Sequence, residues 1–156
     1  MKAFYASLDL GCSSLVTQQL QHMAIGATAT QKGGRVTYYL TESLETLVHQ
    51  TFLRLKLKEM MPIDGLIFFR MQQFLYGGGF DYAFLGEILD RGIEVHFARE
   101  GFSLYTPADL ETAFPVIHTT ELLQTSDIGA ALQSLFGTDF RMALPRADHW
   151  DAQPPR

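Results

Sequence analysis

Positive charge is scarce in this sequence: 12 lysines and arginines stand against 17 aspartates and glutamates, for a net charge of −5. A nucleic-acid partner would demand a basic face to neutralise phosphates, so this balance argues against one. The densest basic stretch, Arg54, Lys56 and Lys58, alternates with leucines and suits the solvated side of a helix. Cysteine is scarcer still. Cys12 stands alone, which excludes a disulfide framework within one chain and makes the cytoplasm the expected compartment. Long apolar runs are missing too. No stretch is long enough to span a bilayer, and the opening MKAFYASLDLG lacks the apolar core of a secretion signal, so no membrane association is expected. The histidines (22, 49, 96, 118 and 149) are scattered with no pair at ligand spacing, and neither a metal nor any other cofactor is expected.

What remains is an ordinary globular composition, 47% hydrophobic and 19% charged, in a chain of 156 residues that suits one domain with a sizeable core. Lys2 to Asp9 reads as a first strand. Ser13 or Ser14 caps a helix in which Leu20, Met23, Ala24 and Ala27 share a face, ended by Gly33-Gly34. Arg35 to Thr41 is rich in β-formers. Ser43 then caps a second helix, with Leu44, Leu47, Val48, Thr51, Phe52 and Leu55 spaced as one buried stripe. Pro62 and Asp64-Gly65 lead into a third strand, Phe80 to Arg91 is a helix stopped by Gly92, and Ile93 to Ala98 is a fourth strand. Thr106-Pro107 opens another helix, Val116-Ile117 reads as a short fifth strand, and Asp127 to Phe136 as a last helix. Residues 1–136 form the expected domain, and residues 137–156 an arm or tail.

Short strands alternating with helices imply βαβ units: an α/β three-layer sandwich around a central, mostly parallel sheet of four or five strands. Ligands in such sheets bind beyond the carboxyl ends of the strands, where the strand order reverses. That rule selects Asp9 to Ser14 after strand one, Thr41-Glu42-Ser43 after strand two, Arg70 to Gln73 after strand three, and His96, Arg99 and Glu100 at strand four.

Each of these residues also has a purely structural reading. His96 alternates with Val95 and Phe97 and could be a core histidine bonded to a carbonyl. Glu42 precedes a helix start, where a carboxylate is favoured by the dipole. Arg70 could bridge to Glu100 or Asp9, and Gln72 and Gln73 could satisfy loop carbonyls. Cys12, without an assigned base, could be a quiet buried thiol. The triplet Gly77-Gly78-Gly79 is no phosphate loop, because the Lys-Ser/Thr that completes one is missing.

Two resemblances bear on these residues. The order of elements, the Tyr5-Ala6-Ser7 of strand one, and a helix ending Leu89-Asp90-Arg91-Gly92 resemble the catalytic domain of serine recombinases. That resemblance implies a serine-recombinase-like, or more broadly flavodoxin-like, fold. It does not imply the activity. The family's Tyr-x-Arg-Val-Ser falls on Tyr5-Ala6-Ser7-Leu8-Asp9, and its Leu-Asp-Arg-Leu-x-Arg on Met71-Gln72-Gln73-Phe74-Leu75-Tyr76, so the nucleophile and the cations needed around a scissile phosphate are absent from those positions.

Residues 3 to 112 more closely resemble the sporadic carbohydrate cluster proteins of bacterial surface-glycan loci. The matching runs are Thr17-Gln18-Gln19-Leu20-Gln21-His22, Thr41-Glu42, Ile63-Asp64-Gly65, Gln73 and His96-Phe97-Ala98-Arg99-Glu100. The family's arginine and proline between strand one and the first helix have no counterpart in Leu10 to Val16. The resemblance implies a cytoplasmic bacterial enzyme acting on a sugar or sugar nucleotide by acid/base chemistry of isomerase, epimerase or lyase type. His96, Glu100 and Glu42 are then the catalytic candidates, and Gln18, Gln21, Arg70, Gln73 and Arg99 the substrate-binding ones. Amides and carboxylates suit a polyhydroxylated ligand, and a His/Glu pair can move protons. The alternative is a non-catalytic scaffold or regulatory protein on a catalytically dead recombinase-like fold.

A homo-oligomer is expected as well. Phe80, Tyr82, Phe84, Leu85, Ile88 and Leu89 present more apolar surface than one helix face normally buries, and the tail carries Phe140, Met142, Leu144 and Trp150.

Overall fold

Strand β1 (Lys2–Leu8) lies at the centre of the molecule, and its alternating side chains feed two separate cores. The computed structural model of the protein describes residues 1–59 and 62–125. β1 pairs in parallel with β2 (Gly34–Thr41) on one side and β3 (Gly65–Phe68) on the other. β3 pairs in parallel with β4 (Glu94–Phe97), and β4 pairs antiparallel with β5 (Phe102–Leu104). The sheet order is β2-β1-β3-β4-β5.

The path explains the layers. From β1 the chain moves outward to β2 through α1 (Gln18–Gln31), then returns across β1 to β3 through α2 (Thr51–Lys58). Right-handed crossovers taken in opposite directions put their helices on opposite faces. Accordingly Phe4, Ala6, Leu8 and Ile67 pack with Ile25 and Ala29 of α1. Tyr5, Leu66, Phe68, Val95 and Phe97 pack with α2, with α3 (Tyr82–Asp90) and with α4 (Pro107–Thr125). Strands covered on both sides must be apolar on both sides, and β3 is buried throughout its length.

The structure departs from the sequence reading at four places. Helix α1 is capped by Thr17, whose hydroxyl accepts from Leu20 N–H at 3.4 Å, and not by Ser13 or Ser14. Its buried stripe is Gln21, Ile25 and Ala29, which leaves Leu20 and Met23 exposed.

Helix α2 starts at Thr51, and residues 44–50 are turns. Gln50, in the left-handed region at φ 48°, breaks the helical path, and the inward residues are Leu53 and Leu57 rather than Leu44, Val48, Phe52 and Leu55.

Val116 and Ile117 belong to α4, where Ala113 and Ile117 are the buried i, i+4 pair. The fifth strand is β5, reached from β4 by the turn 98–101, in which Gly101 takes φ +63°.

Finally, the apolar side chains of α3 do not face outward. Phe80, just before the helix, and Phe84, Leu85, Ile88 and Leu89 on it are all buried in the chain's own core, with Tyr82 partly buried against it, so they give no argument for self-association. The helix expected at Asp127 to Phe136 and the tail from residue 137 lie outside the described residues.

Candidate functional site

The reversal of strand order falls between β1 and β3, and the residues just beyond these strands meet there. Asp9 follows β1 and is fully buried. Arg70, beyond β3, forms a salt bridge to Asp9 through its Nε. The Tyr76 hydroxyl donates to Asp9 Oδ1 at 2.5 Å, Gly11 N–H donates to the same oxygen at 2.9 Å, and Arg70 Nη2 donates to the Tyr76 oxygen at 3.0 Å. Burial works against the Arg70 charge, but Asp9 and Tyr76 outweigh it and leave its pKa raised. Burial, then the bond to Asp9, pushes the Tyr76 phenol up to about 12. Of the two bridges open to Arg70, to Asp9 or to Glu100, the fold makes the first.

Two buried glutamines fix the loops that carry this cluster. Gln21 of α1 accepts from Asp9 N–H at 2.7 Å and donates to Asp9 O at 3.0 Å and Val16 O at 3.1 Å. Gln73 accepts from Arg70 N–H at 3.0 Å and donates to Ser7 Oγ at 3.1 Å and Leu8 O at 3.3 Å. The Gln73 carbonyl in turn accepts from the Gln50 amide at 3.1 Å. Both amides act within the protein. Gln18 is exposed on the outer side of α1.

Glu42 is also consumed internally. Its carboxylate accepts from Phe52 N–H at 3.1 Å and Leu53 N–H at 2.8 Å, which caps α2 from a strand end ten residues earlier. His96 is completely buried between the edges of Phe4 and Tyr105. Its Nδ1 meets Ser103 Oγ at 2.8 Å and its Nε2 meets Glu94 Oε2 at 3.2 Å. Burial lowers its pKa from the ordinary 6.5, against the pull of Glu94. Glu100 accepts from Met71 N–H at 3.3 Å. No hydrogen bond or ion pair joins any two of Glu42, Gln73, His96 and Glu100; the histidine's carboxylate partner is Glu94.

The open space lies beside the Asp9 cluster. A cleft of about 390 Å³ is lined by Cys12, Leu15, Val16, Phe69, Arg70, Gln72 and Arg99. Arg99 reaches it from the turn after β4, where its backbone N–H is held by Phe69 O at 2.9 Å. The Arg99 guanidinium makes no hydrogen bond or ion pair with any described residue. Gln72 Oε1 is buried and has no hydrogen-bond partner among the described residues. The Cys12 thiol is pushed up by burial and by the negative charge of Asp9, so it is not an activated nucleophile. Glu100 stands on the same turn as Arg99. The residue is exposed, yet the protein around its carboxyl raises its pKa, against the Met71 N–H and the charges of Arg99 and Arg70.

Of the eight site residues selected from the sequence, Arg70 and Arg99 line the cleft, Glu100 follows Arg99 on the same turn with its carboxylate on Met71 N–H, and Gln18 lies outside on α1. Gln21, Gln73, Glu42 and His96 are turned into the fold. The sequence reading gave no binding role to Asp9, Tyr76, Gln72 or Cys12. The topology rule did gather Asp9, Cys12 and Gln72 at the strand ends, without a role for any of them; nothing local ties Tyr76 to Asp9. Among the described residues no group of three or more His, Cys, Asp or Glu is placed to hold a metal ion, and no helix is long and apolar enough to cross a membrane. No family model, curated protein or solved structure matches this chain.

Proposed function

We propose that the protein is a cytoplasmic enzyme of bacterial carbohydrate biosynthesis that acts, in the cleft beyond β1, β3 and β4, on a sugar or sugar derivative. The chemistry is proton transfer of isomerase, epimerase or lyase type. The observation that carries this reading is the cleft itself: a preformed space at the reversal of strand order, with two arginines, an amide and apolar walls. Glu100 is the proton-transferring group of choice because it stands on the turn that brings Arg99 to the cleft; burial of its carboxyl raises its pKa in the direction such a role needs. His96 and Glu42, each bonded elsewhere, act by supporting the fold.

Solvent-isotope exchange tests this reading. The purified protein is incubated in heavy water with monosaccharides, their phosphates and nucleoside diphosphate sugars. Deuterium at a ring or chain carbon, seen by NMR and lost in Glu100→Gln, is the expected result. If no carbon exchanges and no product forms with any member, the enzyme reading falls and the non-catalytic scaffold replaces it. That alternative draws on one observation, that four of the expected site residues serve internal contacts.

Self-association belongs to the proposal, carried by a surface other than α3. β2 is an outer strand, and Tyr38 and Tyr39 on it join Phe52 and Leu55 of α2 in an exposed groove of about 310 Å³. Lys56 and Glu59 line the same groove and pair with each other at 4.0 Å, and a second copy related by a twofold axis would exchange these partners between the copies.

A further inference from the structure

We propose that the ligand of the Arg70–Arg99 cleft is a phosphorylated monosaccharide, its phosphate held by the two guanidinium groups and a sugar hydroxyl donating to Gln72 Oε1. This deepens the reading of the cleft as the functional site and rests on it.

The argument is an inventory of what the cleft offers. Arg70 commits its Nε to Asp9 and one Nη2 hydrogen to Tyr76, which fixes the guanidinium plane and leaves its Nη1 edge for another partner. Asp9 neutralises that arginine. Among the described residues Arg99 has no such counterpart: its guanidinium makes no ion pair with any of them, so the cleft carries a cation without a bonded anion there. Two guanidinium edges around one space suit the tetrahedral oxygens of a phosphate, each offering parallel N–H groups.

Gln72 adds the second requirement. Gln72 lines the cleft, and its Oε1 is buried with no partner among the described residues, so turning the amide into the cleft lets that oxygen accept from a ligand. A phosphate dianion brings only acceptors and cannot satisfy it. A ligand that carries an O–H or N–H donor beside its anionic group satisfies both the arginines and this amide.

Size and wall chemistry narrow the class. About 390 Å³ lies near the small end of ligand sites, which run from roughly 300 to 1,000 Å³. One ring and one phosphate fit that space better than a base, a ribose and a diphosphate. Val16 and Phe69 supply apolar surface for the C–H face of a sugar ring.

Calorimetric titration of the full chain tests the assignment with hexose 1- and 6-phosphates, the same hexoses without phosphate, inorganic phosphate and a nucleoside diphosphate hexose. The expected result is that a hexose phosphate binds at least tenfold tighter than inorganic phosphate or the free hexose. Arg99→Gln should weaken hexose phosphate and inorganic phosphate alike by tenfold or more. Gln72→Leu should weaken the hexose phosphate about tenfold and leave inorganic phosphate unchanged. Neither side chain makes a hydrogen bond to another described residue, and circular dichroism checks folding in each variant. Tighter binding of the free hexose or the nucleotide sugar, still dependent on Arg99, overturns the phosphorylated monosaccharide while the cleft stands as the site. An adventitious ion only, with inorganic phosphate binding as well as any sugar, overturns the proposal. Binding unmoved by Arg99→Gln, or no binding at all, overturns both readings.

Discussion

Arg70 grips Asp9 across the point where the strand order reverses, joining the loop after β1 to the loop after β3. Asp9 is fully buried and the Arg70 side chain is only 15% exposed, so this pair is not a surface bridge of negligible weight. Removing one partner leaves the other charge desolvated, which costs about 3–5 kcal/mol. Asp9→Asn should therefore lower the urea midpoint by an amount equivalent to about 3 kcal/mol, and Tyr76→Phe by about 1–2 kcal/mol. A loss below about 0.5 kcal/mol for Asp9→Asn would show that the bridge contributes little to the fold.

The same cluster makes residue 11 sensitive. A Cβ at Gly11 would stand 2.2 Å from the Tyr76 hydroxyl oxygen and 2.7 Å from the ring carbon bearing it. Alanine there must push a rigid ring off Asp9. Gly11→Ala should destabilise at least as much as Tyr76→Phe. Combined with Tyr76→Ala, which removes the ring, Gly11→Ala should add almost nothing further. Additive losses in a denaturation cycle would mean that the two residues do not compete for this space.

Histidine 96 provides a pH signature. With the folded pKa below 6.5, the unfolded chain binds a proton more readily than the folded one once the pH falls below that value. Stability from this source is fully present above pH 6.5 and declines as the pH drops toward the folded pKa. The His96→Gln variant should lose less stability than the wild type between pH 7.5 and 5.5, and the His96 ring signals should titrate with a midpoint below 6.5. A midpoint above 6.5 would mean that the Glu94 carboxylate outweighs burial.

Self-association is checked by sedimentation velocity across a concentration series. The expected behaviour is a dimer that Leu55→Glu or Tyr39→Lys converts to monomer without loss of helical signal. A monomer at every concentration in the wild type would remove the β2–α2 interface.

The strands were legible because their signal is local. Ala3 to Leu8 and Leu66 to Phe69 are nearly continuous apolar runs, and the parallel pairing of β1 to β4 follows from their alternation with helices. Helix α2 was not, because two non-local facts decide it. Glu42 supplies its cap from the end of β2, and Gln50 interrupts the path just before Thr51. Spacing alone made Leu44 to Leu55 look like one stripe. β5 escaped for a related reason: three residues carry no period, and only the Gly101 turn brings them back against β4. At the site, topology correctly gathered the strand ends, while the direction of each side chain stayed hidden. An exposed ligand-binding glutamine and a buried carbonyl-satisfying one have the same local sequence signal, and Gln21 and Gln73 are the second kind.

Those two glutamines give the rim its thermodynamic character. Loops that close over a ligand normally surrender backbone freedom at that moment, and the loss weakens binding. Here Gln21 ties the residues after β1 to α1, and Gln73 ties the loop after β3 to the end of β1, before any ligand arrives. Recognition in the cleft then resembles filling a rigid mould: the heat of binding should come from the contacts themselves, with little offset from ordering of the protein, and amide exchange at Asp9 to Cys12 should be nearly the same with the cleft full or empty.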